Sequence, residues 1–271
     1  MRFSLFPVFL LVAAGCGRFP PPAHPITHAD EALDSRRLAV LPLEAFRAEA
    51  RIDQREGGRR IRGTVLMIIE RPDRVRIDAM TRLGPAATLT SDGERFALLD
   101  LRASRFFAGG SCASNVARGL GVAIEPAELV RLLVGDTPRF AGGSATIEPK
   151  RGGYRIVIAA DDGGRQVIEL GLPAEDLDAA PEAQRPRLES STVYDASGKR
   201  RLKVTFGAHR PVRVGDETLS LPHEIRLVEA AEGSDILLRY KSIEPLDEVP
   251  EGAFDQIAPA GLAVEHLPCN P

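Results

Sequence analysis

Apolar and polar positions alternate with a period of two along much of this chain. Phe46, Ala48, Ala50 and Ile52 interleave with Arg47, Glu49, Arg51 and Asp53, which gives the segment one greasy face and one charged face. The pattern returns in Val75, Ile77 and Ala79 against Arg74, Arg76 and Asp78, and in Leu202, Val204 and Phe206 against Lys203 and Thr205. Each predicts a strand with one wet face. Further strands are predicted over residues 61–70, 86–91, 95–101, 104–108, 145–148, 154–160, 166–171, 188–195, 224–230 and 235–243. Turn-forming clusters separate them, among them Glu56-Gly57-Gly58, Arg71-Pro72-Asp73, Ser91-Asp92-Gly93 and Arg151-Gly152-Gly153. Alternation fails at Val65-Leu66-Met67-Ile68-Ile69, where both faces are apolar. Such a strand is buried on both sides, or packs on one side and lines a greasy cavity on the other.

Two segments carry a helical period instead. Residues 27–38 place Thr27 as N-cap and Asp30 at the capping-box position, with Ala29, Ala32 and Leu33 on one weakly apolar face. In residues 126–135, Pro126 fits the first turn, Leu129, Val130, Leu132 and Leu133 form an apolar stripe, and Gly135 ends the helix. A sheet of roughly ten antiparallel strands curls, and its concave side needs filling. The helices supply it. The expected fold is mainly β (α+β), a curled antiparallel sheet over a few helices, in one domain spanning residues 27–271.

The first residues follow a different rule. Arg2 precedes the apolar run from Phe6 to Ala14, and Ala13-Ala14-Gly15-Cys16 closes it. This order reads as a bacterial lipoprotein signal over residues 1–15, cut before Cys16 so that its thiol carries a diacylglycerol and its new amino group a third acyl chain. Each buried methylene contributes about 0.8 kcal/mol, so two or three chains hold a protein firmly on a membrane. Gly17 follows the cysteine, where an aspartate would favour inner-membrane retention, and outer-membrane location is expected. The proline-rich residues 16–26 are expected to form a semi-rigid tether of roughly 3 Å per residue.

Composition narrows the function. Hydrophobic residues at 44% and charged residues at 27% are a globular balance, and a net charge of −3 gives no electrostatic case for nucleic acid. Cys112 and Cys269 are free to pair in an oxidising periplasm, although their spacing alone does not establish it. With His24, His28, His209, His223 and His266 they form no metal-ligand spacing, so neither metal nor cofactor is expected. There is no Gly-x-Ser-x-Gly elbow, Walker loop or dinucleotide fingerprint, and the pairs Gly109-Gly110 and Gly142-Gly143 read as turns. Acidic pairs such as Asp161-Asp162 and Asp247-Glu248 fall in hydrophilic turns. No catalytic residue is predicted. The basic clusters Arg59-Arg60-Arg62 and Lys199-Arg200-Arg201-Lys203 fit either anionic head groups or solvated hairpin edges.

The order of these pieces resembles the LolA/LolB-like superfamily of lipoprotein carriers and related periplasmic lipoproteins. The resemblance rests on the lipobox, the strands at 46–53 and 64–70, Asp73-Arg74-Val75-Arg76-Ile77-Asp78, Leu83-Gly84, Leu89-Thr90-Ser91-Asp92-Gly93-Glu94-Arg95-Phe96 and Phe106-Phe107-Ala108-Gly109. It continues through the helix ending Leu132-Leu133-Val134-Gly135, then Leu221-Pro222-His223-Glu224-Ile225, and the close from Phe254 to Leu262. It implies an unclosed β-barrel whose apolar concave face, covered by helices, receives acyl chains of lipoproteins or other lipids. In receptor-type members a loop leucine before a glycine protrudes and assists delivery into the membrane; Leu83 matches it, with Arg82 in place of the usual proline. Such members are rich in tryptophan, and this chain has none.

The leading expectation is a non-enzymatic, outer-membrane-anchored lipoprotein that binds acyl chains of lipoproteins or phospholipids, with a periplasmic lipoprotein carrier as partner. The groove residues expected are Val65, Met67, Ile69, Val75, Ile77, Leu89, Phe96, Leu98, Leu129, Leu132 and Leu133. The alternatives are a structural or assembly lipoprotein with a packed core and no ligand, and an enzyme with no recognisable motif.

Overall fold

The computed structural model describes residues 19–140, 143–230 and 233–269. Cys16 and the signal segment lie outside these residues. Helix α1 (Ala29–Ala39) opens the domain, with His28 rather than Thr27 at its N-cap and no side-chain cap. Asp30 and Glu31 in its first turn and Arg36 and Arg37 in its last complement the helix dipole instead.

Six strands then run as a meander: β1 (Ala45–Glu56), β2 (Arg59–Glu70), β3 (Arg74–Thr81), β4 (Gly84–Ser91), β5 (Arg95–Asp100) and β6 (Arg105–Gly110). Two short helices follow, α2 (Ala113–Leu120) and α3 (Pro126–Leu133). The second run comprises β7 (Ser144–Lys150), β8 (Gly153–Ala159), β9 (Arg165–Gly171), β10 (Arg187–Tyr194) and β11 (Arg200–Gly207). A separate hairpin, β12 (Arg210–Val214) and β13 (Glu217–Leu221), precedes β14 (Glu224–Glu229), β15 (Ser234–Pro245) and β16 (Val264–Leu267).

The main sheet has 14 strands in the order β16-β6-β5-β4-β3-β2-β1-β15-β14-β11-β10-β9-β8-β7. Its two meanders join where β1 pairs with β15, and every neighbouring pair is antiparallel except β16 with β6. The sheet curls without closing, leaving β16 and β7 as edges. Between β6 and β7 the chain must travel from near one edge to the other. Helices α2 and α3 are that connection, and they cross the concave face.

Register lines up the apolar positions on that face. Leu98 lies opposite Leu89, Leu89 opposite Ile77, Ile77 opposite Met67, and Met67 opposite Ala48. Ala48 and Ala50 are small and buried, which leaves depth at the middle of the sheet for helical side chains. Burying one such Leu, Ile or Met side chain stabilises the fold by roughly 1.5–3 kcal/mol before entropy is counted. A register shift at Glu49/Ala50 bends β1 at its pairing with β15.

Two expectations are corrected by this arrangement, and a third point left open is settled. In β2, Val65, Met67 and Ile69 point inward and are buried, but Leu66 is 41% exposed, so the run is not covered on both faces. The described part of the proline-rich stretch is docked rather than standing free. Pro20 O accepts from Gly152 N (3.0 Å), Ala23 N donates to Leu177 O (2.8 Å), His24 O accepts from Gln184 Nε2 (2.7 Å) and Ile26 N donates to Tyr154 Oη (3.0 Å). Finally, Cys112 and Cys269 form a disulfide, Cα to Cα 6.1 Å, that ties the start of α2 to the tail beyond β16.

Candidate functional site: an apolar groove closed by two helices

Where α2 and α3 cross the sheet they leave a cavity of about 80 Å³ whose 14 lining residues are all apolar. The sheet contributes Ile52 from β1, Val65 and Met67 from β2, Ile77 from β3, Ile225 and Leu227 from β14, and Ile236 and Leu238 from β15. The helical layer contributes Leu120, Val122, Ile124, Leu129, Leu132 and Leu133. The seam between the two meanders therefore forms the floor.

Six of the eleven groove residues expected from sequence meet here: Val65, Met67, Ile77, Leu129, Leu132 and Leu133. The other five, Ile69, Val75, Leu89, Phe96 and Leu98, are buried in the same core but do not border the cavity. Around Leu89 the space is filled by α2, where a Cβ on Gly119 would meet the Leu89 side chain. Eight of the 14 lining residues are not among those expected, four of them (Ile225, Leu227, Ile236 and Leu238) because β14 and β15 come from the far end of the chain. Leu120, Val122 and Ile124 were missed with α2 itself.

The helices are fastened at their C-terminal ends, where backbone carbonyls lack helical partners. Gln54 Nε2 donates to Leu120 O (3.0 Å) and Ser234 Oγ to Gly121 O (2.6 Å), which holds α2. Tyr240 Oη donates to Leu133 O (3.0 Å), and Arg36 donates through Nε to Gly135 O (3.0 Å) and through Nη2 to Val134 O (3.4 Å), which holds α3. Burial pushes the Tyr240 hydroxyl far above its usual range, so it stays a donor. Losing one such bond leaves a buried carbonyl unsatisfied. Tyr240→Phe is accordingly expected to lower stability by about 1–2 kcal/mol in denaturant unfolding; an unchanged midpoint would show that the bond does not hold α3.

At the outer end of β3 and β4 the turn Thr81-Arg82-Leu83-Gly84 puts Leu83 fully into solvent, at 101% of its reference exposure. Thr81 Oγ1 donates to Gly84 O (2.8 Å), and Gly84 at φ +120° completes the turn. The Arg60 and Arg62 side chains pair across the strands with Asp53, at 2.6 and 3.1 Å, and hold its carboxyl well below the usual carboxylate range. That basic cluster is thus engaged in hairpin pairing. Among the described residues, no group of three or more His, Cys, Asp or Glu side chains stands ready for a metal, and no helix is long and apolar enough to cross a membrane.

No family model matches the chain, and no curated protein matches it by sequence. Solved structures do share its architecture. A LolA superfamily protein from Nitrosomonas europaea superposes with a TM-score of 0.54 at 11% identity, over 86% of this chain and 99% of that one. A DUF1329 family protein from Desulfovibrio piger gives 0.55 at 11% identity, over 85% and 98%. A putative outer membrane lipoprotein-sorting protein domain from Vibrio parahaemolyticus gives 0.53 at 14% identity, over 83% and 95%. At these identities the likeness is one of fold. The chain has the LolA-type fold, an open curled sheet closed over by helices.

Proposed function

We propose that this protein is a lipoprotein of the bacterial envelope, anchored through Cys16 at the outer membrane, that takes up acyl chains of lipoproteins or phospholipids between the sheet and helices α2 and α3 and passes them on without chemical change. The observation that carries the reading is the all-apolar lining of the cavity beneath the helices. A typical ligand pocket holds roughly 300–1,000 Å³. At about 80 Å³ the groove is closed, with Leu129, Leu132 and Leu133 occupying the space a chain would fill. Uptake then exchanges one apolar filling for another. Acyl burial contributes ~25 cal/mol per Å², offset by the cost of breaking the hydrogen bonds that Tyr240 and Arg36 donate to the carbonyls at the end of α3.

The small cavity also favours a second reading, an assembly lipoprotein whose helices never leave the groove. Photo-crosslinking in the native envelope separates the two. A benzoylphenylalanine at the half-buried Ile77 or Ile236 of the full chain yields adducts with phospholipid or acylated peptide if the groove is entered. Adducts confined to the chain itself, with the same result at exposed Leu41 as control, contradict uptake.

The Leu83 turn supplies the delivery step in this reading. Leu83 is solvated and packs on nothing, so Leu83→Glu is expected to leave stability within about 0.5 kcal/mol. The same change is expected to slow transfer of an acylated peptide from the full chain to acceptor vesicles severalfold. Unchanged transfer would remove Leu83 from the mechanism.

A further inference from the structure

A second cavity, of about 370 Å³, lies on the other side of α1, between the β9–β10 connection and the β12–β13 hairpin. Four arginines and a histidine line it, Arg36, Arg185, Arg187, Arg210 and His209, and no carboxylate does. This concentration of guanidinium groups stands out in a chain whose net charge is −3.

The acidic groups around it leave most of that charge uncompensated. Arg185 is neutralised by Asp176 (2.5 Å) and Glu175 (3.7 Å). Arg187 and Arg210 make no ion pair within 4 Å among the described residues, although the Asp176 carboxylate acts on Arg187 from farther off. Arg36 is 3% exposed and donates only to backbone carbonyls, those of Val134, Gly135 and Ser220 (3.3 Å). Burial draws its guanidinium down to about 10, with Asp136 acting against the shift and Arg187 adding to it. His209 Nε2 is buried without a hydrogen-bond partner. Burial, then the charges of Arg36, Arg187 and His223, depress that imidazole to about 4. Capping the end of α3 accounts for Arg36. It does not account for Arg187, His209 and Arg210 converging on the same space.

We propose that this cavity binds a phosphate group, with Arg36 and Arg187 inside, His209 on the wall and Arg210 at the exposed mouth. Guanidinium forks match phosphate oxygens, and such charge-assisted bonds strengthen in a partly desolvated site. Two of the five guanidinium N–H donors on Arg36 remain after its three carbonyl bonds. The volume exceeds that of a bare oxyanion, and Pro173, Pro186 and Pro211 give the site a stiff apolar rim. A phosphate carrying a substituent, as in a lipid head group, and free phosphate share this chemistry.

The test uses the full chain in dodecyl maltoside with ¹⁵N-labelled histidine, the His209 signal being assigned by its loss in His209→Gln. Inorganic phosphate and micelles carrying phosphatidylglycerol are titrated separately. A saturable His209 shift with phosphate supports a free-phosphate site, and one with phosphatidylglycerol alone supports a head-group site. In either case Arg187→Gln is expected to weaken binding about tenfold. Arg210→Gln, at an exposed position, is expected to weaken it severalfold without touching the core, and decides the matter should Arg187→Gln unfold. No saturable shift with either probe, or a shift that these variants leave unweakened, overturns the proposal.

Discussion

Leu132→Ala is expected to act in opposite directions on stability and on binding. Leu132 is 3% exposed and borders the apolar cavity from α3. Truncating a buried leucine costs about 2–5 kcal/mol, the upper part of that range applying where neighbours cannot collapse into the gap. Here the facing residues belong to a hydrogen-bonded sheet, so little collapse is expected. In a protein of this size that corresponds to a fall in unfolding temperature of roughly 5–15 °C. If Leu132 holds the place of an acyl chain, the same truncation enlarges the vacant groove and reduces what must be displaced. Acyl affinity should then rise while stability falls. Thermal unfolding together with titration of an acylated peptide measures both. A loss of stability with no gain in affinity would make α3 an ordinary core helix.

Breaking the Cys112–Cys269 bridge is the second large effect. The two cysteines are separated by 157 residues, and closing so long a loop constrains the unfolded chain by roughly 5 kcal/mol in the chain-entropy description, a ceiling that real bridges seldom reach. Strand β16 has four residues and a single, parallel neighbour, helped by an exposed pair between Arg105 and Glu265. Such a pair adds little by itself. The double variant Cys112→Ser, Cys269→Ser is therefore expected to lose about 2–4 kcal/mol and to expose the amides of β16 and β6 to rapid hydrogen exchange. Protection equal to the parent chain at β6 would show that the parallel pairing holds without the bridge.

What the sequence revealed followed from how each element meets water. β1, β3 and β11 have one charged face, and strict alternation betrays them. α3 announces itself by Pro126, its leucines and the left-handed Gly135. α2 has eight residues, with Gly119 inside and only Val116 and Leu120 as large apolar positions, so no stripe stood out. Its Gly119 lies against the Leu89 side chain, a tertiary contact invisible locally. β12 and β13 were hidden by Pro211 in a short polar stretch, and β16 by pairing with a strand far away in sequence. Six of the groove's 14 lining residues were legible for the same reason. Its β2, β3 and α3 positions lie within stretches of obvious pattern, whereas Ile225, Leu227, Ile236 and Leu238 join it only through the β1–β15 seam.

The central claim, that α3 gives way to an acyl chain, is tested most directly by a distance across the groove. Arg131 on the outer side of α3 and Leu66 on the outer face of β2 are both exposed. With Cys112 and Cys269 bridged, and with Cys16 lipidated on the proposed reading, cysteines placed at these two sites are free to take spin labels in the full chain in nanodiscs. Pulsed electron–electron resonance then reads their separation with and without an acylated peptide. The account predicts a second, longer distance that grows with ligand and saturates. A single distance unchanged while the peptide is bound would place the ligand elsewhere and leave the helices as permanent core.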